Sequence, residues 1–165
     1  GGGCIAVALA LVLNRARFDA VDISTDALAV AAINARRHAV SDRIRLIQSD
    51  LFTALPGRRY DLILCNPLYV ADQLIDELPL EYSHEPEIAF SGGVDGLTII
   101  RQVLAESRAH LTQRGLLVVE AGSAALAVEN AWARVPFTWL MSANGESVVF
   151  VLSADELDTY GQSFV

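Results

Sequence analysis

The sequence predicts an α/β fold built on an open, largely parallel sheet, and three features predict it. The run Leu62-Ile63-Leu64-Cys65 is unbroken apolar and stops at Asn66-Pro67, as expected of a strand buried on both faces of a parallel sheet. Strand-like and amphipathic helical stretches alternate along the chain, the pattern that winds such a sheet. The last apolar stretches, 137–141 and 147–152, are joined across Asn144-Gly145 and read as an antiparallel hairpin.

In chain order, Gly1-Gly2-Gly3 feeds the Ala/Leu-rich run from Cys4 to Leu13, which predicts a glycine turn opening a helix. A backbone of that kind approaches an anionic or nucleotide group closely and aims free N–H groups at it. Residues 18–23 read as a strand ending in Asp22, about twenty residues beyond Gly3, where a carboxylate accepts both hydroxyls of a ribose; a plain turn or cap acid is the alternative. Ser24 or Thr25 caps a helix from Asp26 to about His38, with Ala27, Leu28, Val30, Ala31 and Ile33 as its apolar face. Residues 44–48 alternate as a strand that ends at Ser49-Asp50-Leu51-Phe52. Asp50 then stands where an exocyclic amine is accepted and Leu51 where a flat base is covered, or the two form a capped turn.

At the end of the 61–65 strand, Pro67 holds Asn66 extended, so an amide oxygen and the Pro67 carbonyl sit side by side. Two such acceptors grip the two hydrogens of a planar NH2 and aim its lone pair at an electrophile. Tyr69 adds an aromatic face for that plane and for a nearby cation. The competing reading is a common Asn-Pro turn with Tyr69 in the core.

Residues 70–96 lack a regular pattern and read as a flap over a site, with acids Asp72, Asp76, Glu77, Glu81, Glu85 and Glu87. His84-Glu85-Pro86-Glu87 offers too few ligands for a metal, so none is expected. Asp95 begins a helix through Leu111 that Gly115 terminates; 116–120 is a buried strand; Ser123 to Ala133 is a helix closed by Pro136.

Composition bounds the partners. The 165 residues are expected to form one domain, and no apolar run reaches the ~20 residues of a membrane span. No charged-then-apolar leader opens the chain, so a soluble protein is expected. The net charge is −8 and the 12 basic residues are scattered arginines, which favours a basic protein partner over nucleic acid. Cys4 and Cys65 have no CxxC spacing and read as reduced, buried thiols of a cytoplasmic protein.

The set Gly1-Gly2-Gly3-Cys4-Ile5-Ala6, Val21-Asp22-Ile23-Ser24, Ser49-Asp50-Leu51-Phe52 and Asn66-Pro67-Leu68-Tyr69 resembles the S-adenosylmethionine-dependent methyltransferases of the HemK class, which methylate a glutamine side-chain amide. Leu78 to Glu87, Gly92-Gly93-Val94-Asp95-Gly96-Leu97 and Val135-Pro136-Phe137-Thr138-Trp139-Leu140 most resemble its PrmB branch, whose substrate is the large-subunit ribosomal protein three.

The resemblance implies a class I, Rossmann-like methyltransferase sheet with a terminal antiparallel hairpin and S-adenosyl-L-methionine as cofactor. Gly1 and Gly3 would meet its methionyl end, Asp22 and Ile23 the ribose side, and Asp50 and Leu51 the adenine. Asn66, Pro67, Leu68 and Tyr69 would hold the glutamine, with Asn66 also facing the cofactor.

Two departures accompany it. Leu68 stands where the family has a second proline, and the family's first strand normally precedes the residue that is Gly1 here. Neighbouring strand edges are then expected to lack a partner, in a single truncated catalytic domain. The alternatives are a non-catalytic remnant, a methyltransferase acting on peptide release factors, and a nicotinamide-dependent Rossmann enzyme. The Asn-Pro edge and the final hairpin argue against the last.

Overall fold

The computed structural model describes residues 1–67, 95–141 and 147–164, which fall into two units, Gly1–Gly57 and Arg58–Val165. In the first, helix α1 (Cys4–Val12) is launched by Gly3 in the left-handed region at φ 73°. A Cβ on Gly3 would stand 2.8 Å from that of Ala31, so the residue is bare for two reasons: its φ and the close approach of helix α2 (Thr25–Arg37). Gly3→Ala is expected to lower unfolding free energy by about 1–3 kcal/mol, read from the urea midpoint. An unchanged midpoint would show that the turn relaxes freely.

Ser24 caps α2 as expected, its hydroxyl accepting from the Ala27 N–H at 3.2 Å. Asp26 in the first turn and Arg36 and Arg37 in the last complement the helix dipole. Ala39 at φ 54° then turns the chain so that Val40 is buried. The buried face of α2 is narrower than predicted. Ala31 and Ala35 are buried, whereas Val30 and Ile33 are exposed, because small residues let the helix lie close to its neighbours and only the nearest stripe is covered.

Strands β1 (Phe18–Asp22) and β2 (Ile44–Gln48) pair in parallel. Phe18, Ala20, Ile44 and Leu46 pack with Val7, Ala10, Ala35 and Val40 as the core of this unit. On the opposite face of the ladder the register partners Asp19 and Arg45 form a two-bond ion pair at 2.9 Å.

In the second unit β3 (Tyr60–Cys65), β4 (Leu111–Glu120), β5 (Thr138–Met141) and β6 (Ser147–Ser153) form a sheet in the order β3-β4-β6-β5. β3 and β4 are parallel; β6 runs antiparallel to both β4 and β5, the expected terminal hairpin. The Asn144-Gly145 link between its strands lies outside the described residues. Leu117, Val119, Phe150 and Leu152 are fully buried on one face, under α3 (Thr98–Ser107), α4 (Ala125–Ala131) and α5 (Ala154–Tyr160).

Four expectations change. Strand β3 is not buried on both faces: Leu62 and Leu64 are 42% and 38% exposed. Among the described residues β3 pairs only with β4, so a second strand's side chains do not screen it; β1 likewise pairs only with β2, the edge pattern expected above. Helix α3 starts at Thr98 rather than Asp95, because the Asp95 carboxylate accepts from the Leu97 N–H at 3.0 Å and closes a turn first. That hydrogen bond, with the Arg101 guanidinium at 3.1 Å, holds the Asp95 carboxyl below the usual range.

Gly115 does not end that helix. It lies within β4, where a Cβ would stand 2.9 Å from the Leu111 side chain and 3.0 Å from the Tyr60 carbonyl oxygen, so the bare backbone makes room for both at the register shift. Finally, α4 is shorter than 123–133, preceded by a 3₁₀ turn and followed by Trp132, which turns inward to donate to the Ser163 carbonyl at 3.0 Å. Helix α5 follows β6 without a loop, started by a capping box in which Ser153 and Glu156 exchange hydrogen bonds.

Candidate functional site

The carboxyl edge of the β1–β2 pair gathers six of the residues singled out by sequence. Asp22 closes β1; one carboxylate oxygen accepts from the Ser24 N–H at 2.8 Å and the other contacts the Gly1 amino group. The glycine turn and the acid about twenty residues on are therefore brought together, as the spacing predicted. Its side chain keeps 19% exposure, leaving the acid accessible. Ile23, the next residue, is 62% exposed, an apolar side chain presented to solvent at this edge.

The Ser49 N–H donates to the Asp22 carbonyl at 3.0 Å and ties the end of β2 to the end of β1. Asp50 and Leu51 follow at the same edge. Leu51 is held at φ 44°, a strained value for a γ-branched residue and a conformation found where backbone is committed to a site. The Ser49 hydroxyl maintains it, accepting from the Ala54 N–H at 2.9 Å and donating to the Leu51 carbonyl at 3.0 Å.

Two supporting residues went unread in the sequence. Ser49 appeared only as part of a motif, although a Ser before Asp is a turn signal. Asn34, whose amide donates to the Gly2 carbonyl at 2.8 Å and steadies the glycine turn, had no local signal, since its partner is 32 residues away.

In the second unit Asn66 and Pro67 follow β3 directly. Asn66 is exposed and Pro67 buried, so the proline anchors the step and leaves the Asn66 side chain accessible at the carboxyl end of the strand. Glu120 ends the parallel neighbour β4 at the same edge. Leu68, Tyr69 and most of the flap, 70–94, lie outside the described residues.

The cysteines are both free, but Cys4 is exposed rather than buried, because it opens α1 ahead of the first core position, Val7. Burial pushes the Cys65 thiol up to about 12. At pH 8 an alkylating reagent is therefore expected to modify Cys4 while Cys65 stays a protonated, unreactive thiol, with peptide mass spectrometry as the readout. Among the described residues no group of His, Cys, Asp or Glu could hold a metal ion, and no helix is long and apolar enough to cross a membrane.

The parallel β1–β2 pair that ends in an acid, and the parallel β3–β4 pair that ends in Asn-Pro and is extended by an antiparallel hairpin, are each a part expected of a Rossmann-like methyltransferase fold. Solved structures agree on the fold. A methyltransferase from Pyrococcus furiosus superposes with a TM-score of 0.62 at 12% identity, over 91% of this chain and 68% of that one. The hMettl16 catalytic domain superposes with a TM-score of 0.60 at 20% identity, over 93% and 60%. Residues 1–78 match the family model of the methyltransferase small domain.

More narrowly, the chain is similar along nearly its whole length to proteins named ribosomal protein uL3 glutamine methyltransferase. It is 43% identical over 164 residues to that of Francisella tularensis, covering 99% of this chain and 52% of the relative. It is 45% identical over 157 residues to that of Neisseria meningitidis, covering 95% and 52%. The chain thus spans about half the length of the curated relatives it matches.

Proposed function

We propose that residues 1–165 act as one catalytic domain that transfers a methyl group from S-adenosylmethionine to the side-chain amide nitrogen of a glutamine in ribosomal protein uL3. The observation that carries this reading is the exposed Asn66 amide projecting from the end of β3 on an anchored proline, in a chain similar to enzymes named for that reaction. The β1–β2 edge suits the cofactor: a glycine turn against Asp22, an accessible carboxylate for two hydroxyls, and Ile23 and Leu51 as apolar cover for a flat base. When bound, the cofactor supplies an electrophilic methyl on a sulfonium.

The chain's own residues do the rest. Asn66 and the Pro67 carbonyl each accept one N–H of the glutamine amide, which draws its lone pair out of conjugation and fixes its direction. The family resemblance assigns Tyr69 to the amide plane and Leu68 to the substrate loop, both outside the described residues. No dedicated base is required, since the nitrogen sheds its proton after the methyl arrives. The acids of the flap, 70–96, and the charge of −8 favour a basic substrate protein in the cytoplasm, without direct nucleic-acid binding.

The test is incubation with labelled methyl donor and either purified uL3 or a peptide release factor, followed by peptide mapping. One methylated glutamine in uL3 is the expected result. Transfer to the release factor alone overturns the substrate, and cofactor binding without transfer, in both this chain and Leu68→Pro, overturns catalysis.

A further inference from the structure

The stretch Val135-Pro136-Phe137-Thr138-Trp139 is given no role in the proposed methyl transfer, yet with the end of α4 its residues line a surface pocket of about 320 Å³. The pocket lies beside β5, the outer strand at the opposite side of the sheet from β3 and Asn66. Three of its lining residues, Trp132, Phe137 and Trp139, are aromatic. Phe137 and Trp139 pack edge-on with the fully buried Phe150, at centroid distances of 4.8 and 5.5 Å, and Trp132 is held by its indole hydrogen bond to Ser163. Glu129 of α4 lines the same pocket, is exposed, and among the described residues has no ion-pair partner.

We propose that this pocket takes an arginine side chain of a basic partner protein. Aromatic faces attract a guanidinium through their quadrupole, and an unpaired carboxylate at the rim adds charge complementarity. The fold already uses this chemistry once: the Arg101 guanidinium lies 5.7 Å from the centroid of the Trp132 ring, with its charge met by Asp95. Glu129 is the uncompensated counterpart, and the net charge of −8 steers basic partners toward the surface. The inference stands apart from methyl transfer, because the recognition needs neither cofactor nor Asn66.

The test uses the whole chain without methyl donor, titrated with N-acetyl-arginine amide and with its neutral isostere N-acetyl-citrulline amide, while the Trp indole N–H resonances are followed by NMR. Saturable shifts of the Trp139 signal are expected with the arginine probe, with the citrulline probe roughly 3–10-fold weaker. Glu129→Gln, an exposed change that leaves the melting temperature in place, is expected to weaken the arginine probe by a similar factor, and Glu129→Arg to abolish binding. Equal affinity for the two probes, indifference to Glu129→Gln, or no shift of Trp139 overturns the proposal.

Discussion

Asn66→Ala is expected to reduce methyl transfer about a hundred- to a thousandfold while leaving cofactor affinity and stability close to wild type. The magnitude is that of removing one preorganised hydrogen-bonding group from a reacting centre. The separation follows from position. Asn66 is exposed, so truncation leaves no cavity and no orphaned buried partner, and such surface changes stay within about 0.5 kcal/mol. Pro67 remains buried and holds the backbone carbonyl in place. Asn66→Asp keeps an acceptor oxygen and is expected to fall between the two. Single-turnover rates at saturating cofactor are the measurement; an alanine variant that transfers at the wild-type rate removes Asn66 from the chemistry.

Asp22→Ala is expected to weaken S-adenosylmethionine binding by roughly a hundred- to ten-thousandfold. Two hydroxyl hydrogen bonds to one carboxylate are charge-assisted, and each is worth about 1.5–3 kcal/mol, where 1.4 kcal/mol is tenfold in affinity. The same carboxylate accepts from the Ser24 N–H just ahead of α2, so some stability is lost as well. Calorimetric titration well below the melting transition separates the two effects. Asp22→Asn retains an acceptor without the charge and is expected to recover part of the affinity. A variant with lowered melting temperature but unchanged affinity would reduce Asp22 to a helix lead-in.

Ser24, Asp22 and the terminal hairpin were legible in the sequence because each depends on neighbours in the chain: a cap three residues from its donor, an acid ending an apolar run, two apolar strands around a turn. The capping box that starts α5 was equally local, but β6 runs into it without a break and conceals the boundary. Gly115 misled for the opposite reason. As a helix stop it is a good local signal, but it lies within β4, where a Cβ would press on the Leu111 side chain and on the carbonyl of Tyr60, fifty-five residues earlier in the paired strand.

From residue order alone came the alternation of helices and strands, the terminal hairpin, and the chemistry at the strand ends, all set by hydrophobic period and turn residues acting over short separations. Tertiary structure alone decided which faces are covered. It exposed Leu62 and Leu64, buried Pro67 beside an exposed Asn66, lodged Gly3 against Ala31, bent Leu51 to a positive φ under the Ser49 hydroxyl, and bound Asn34 to the glycine turn. Burial and close approach depend on atoms distant in the chain, and no local pattern encodes where those atoms arrive.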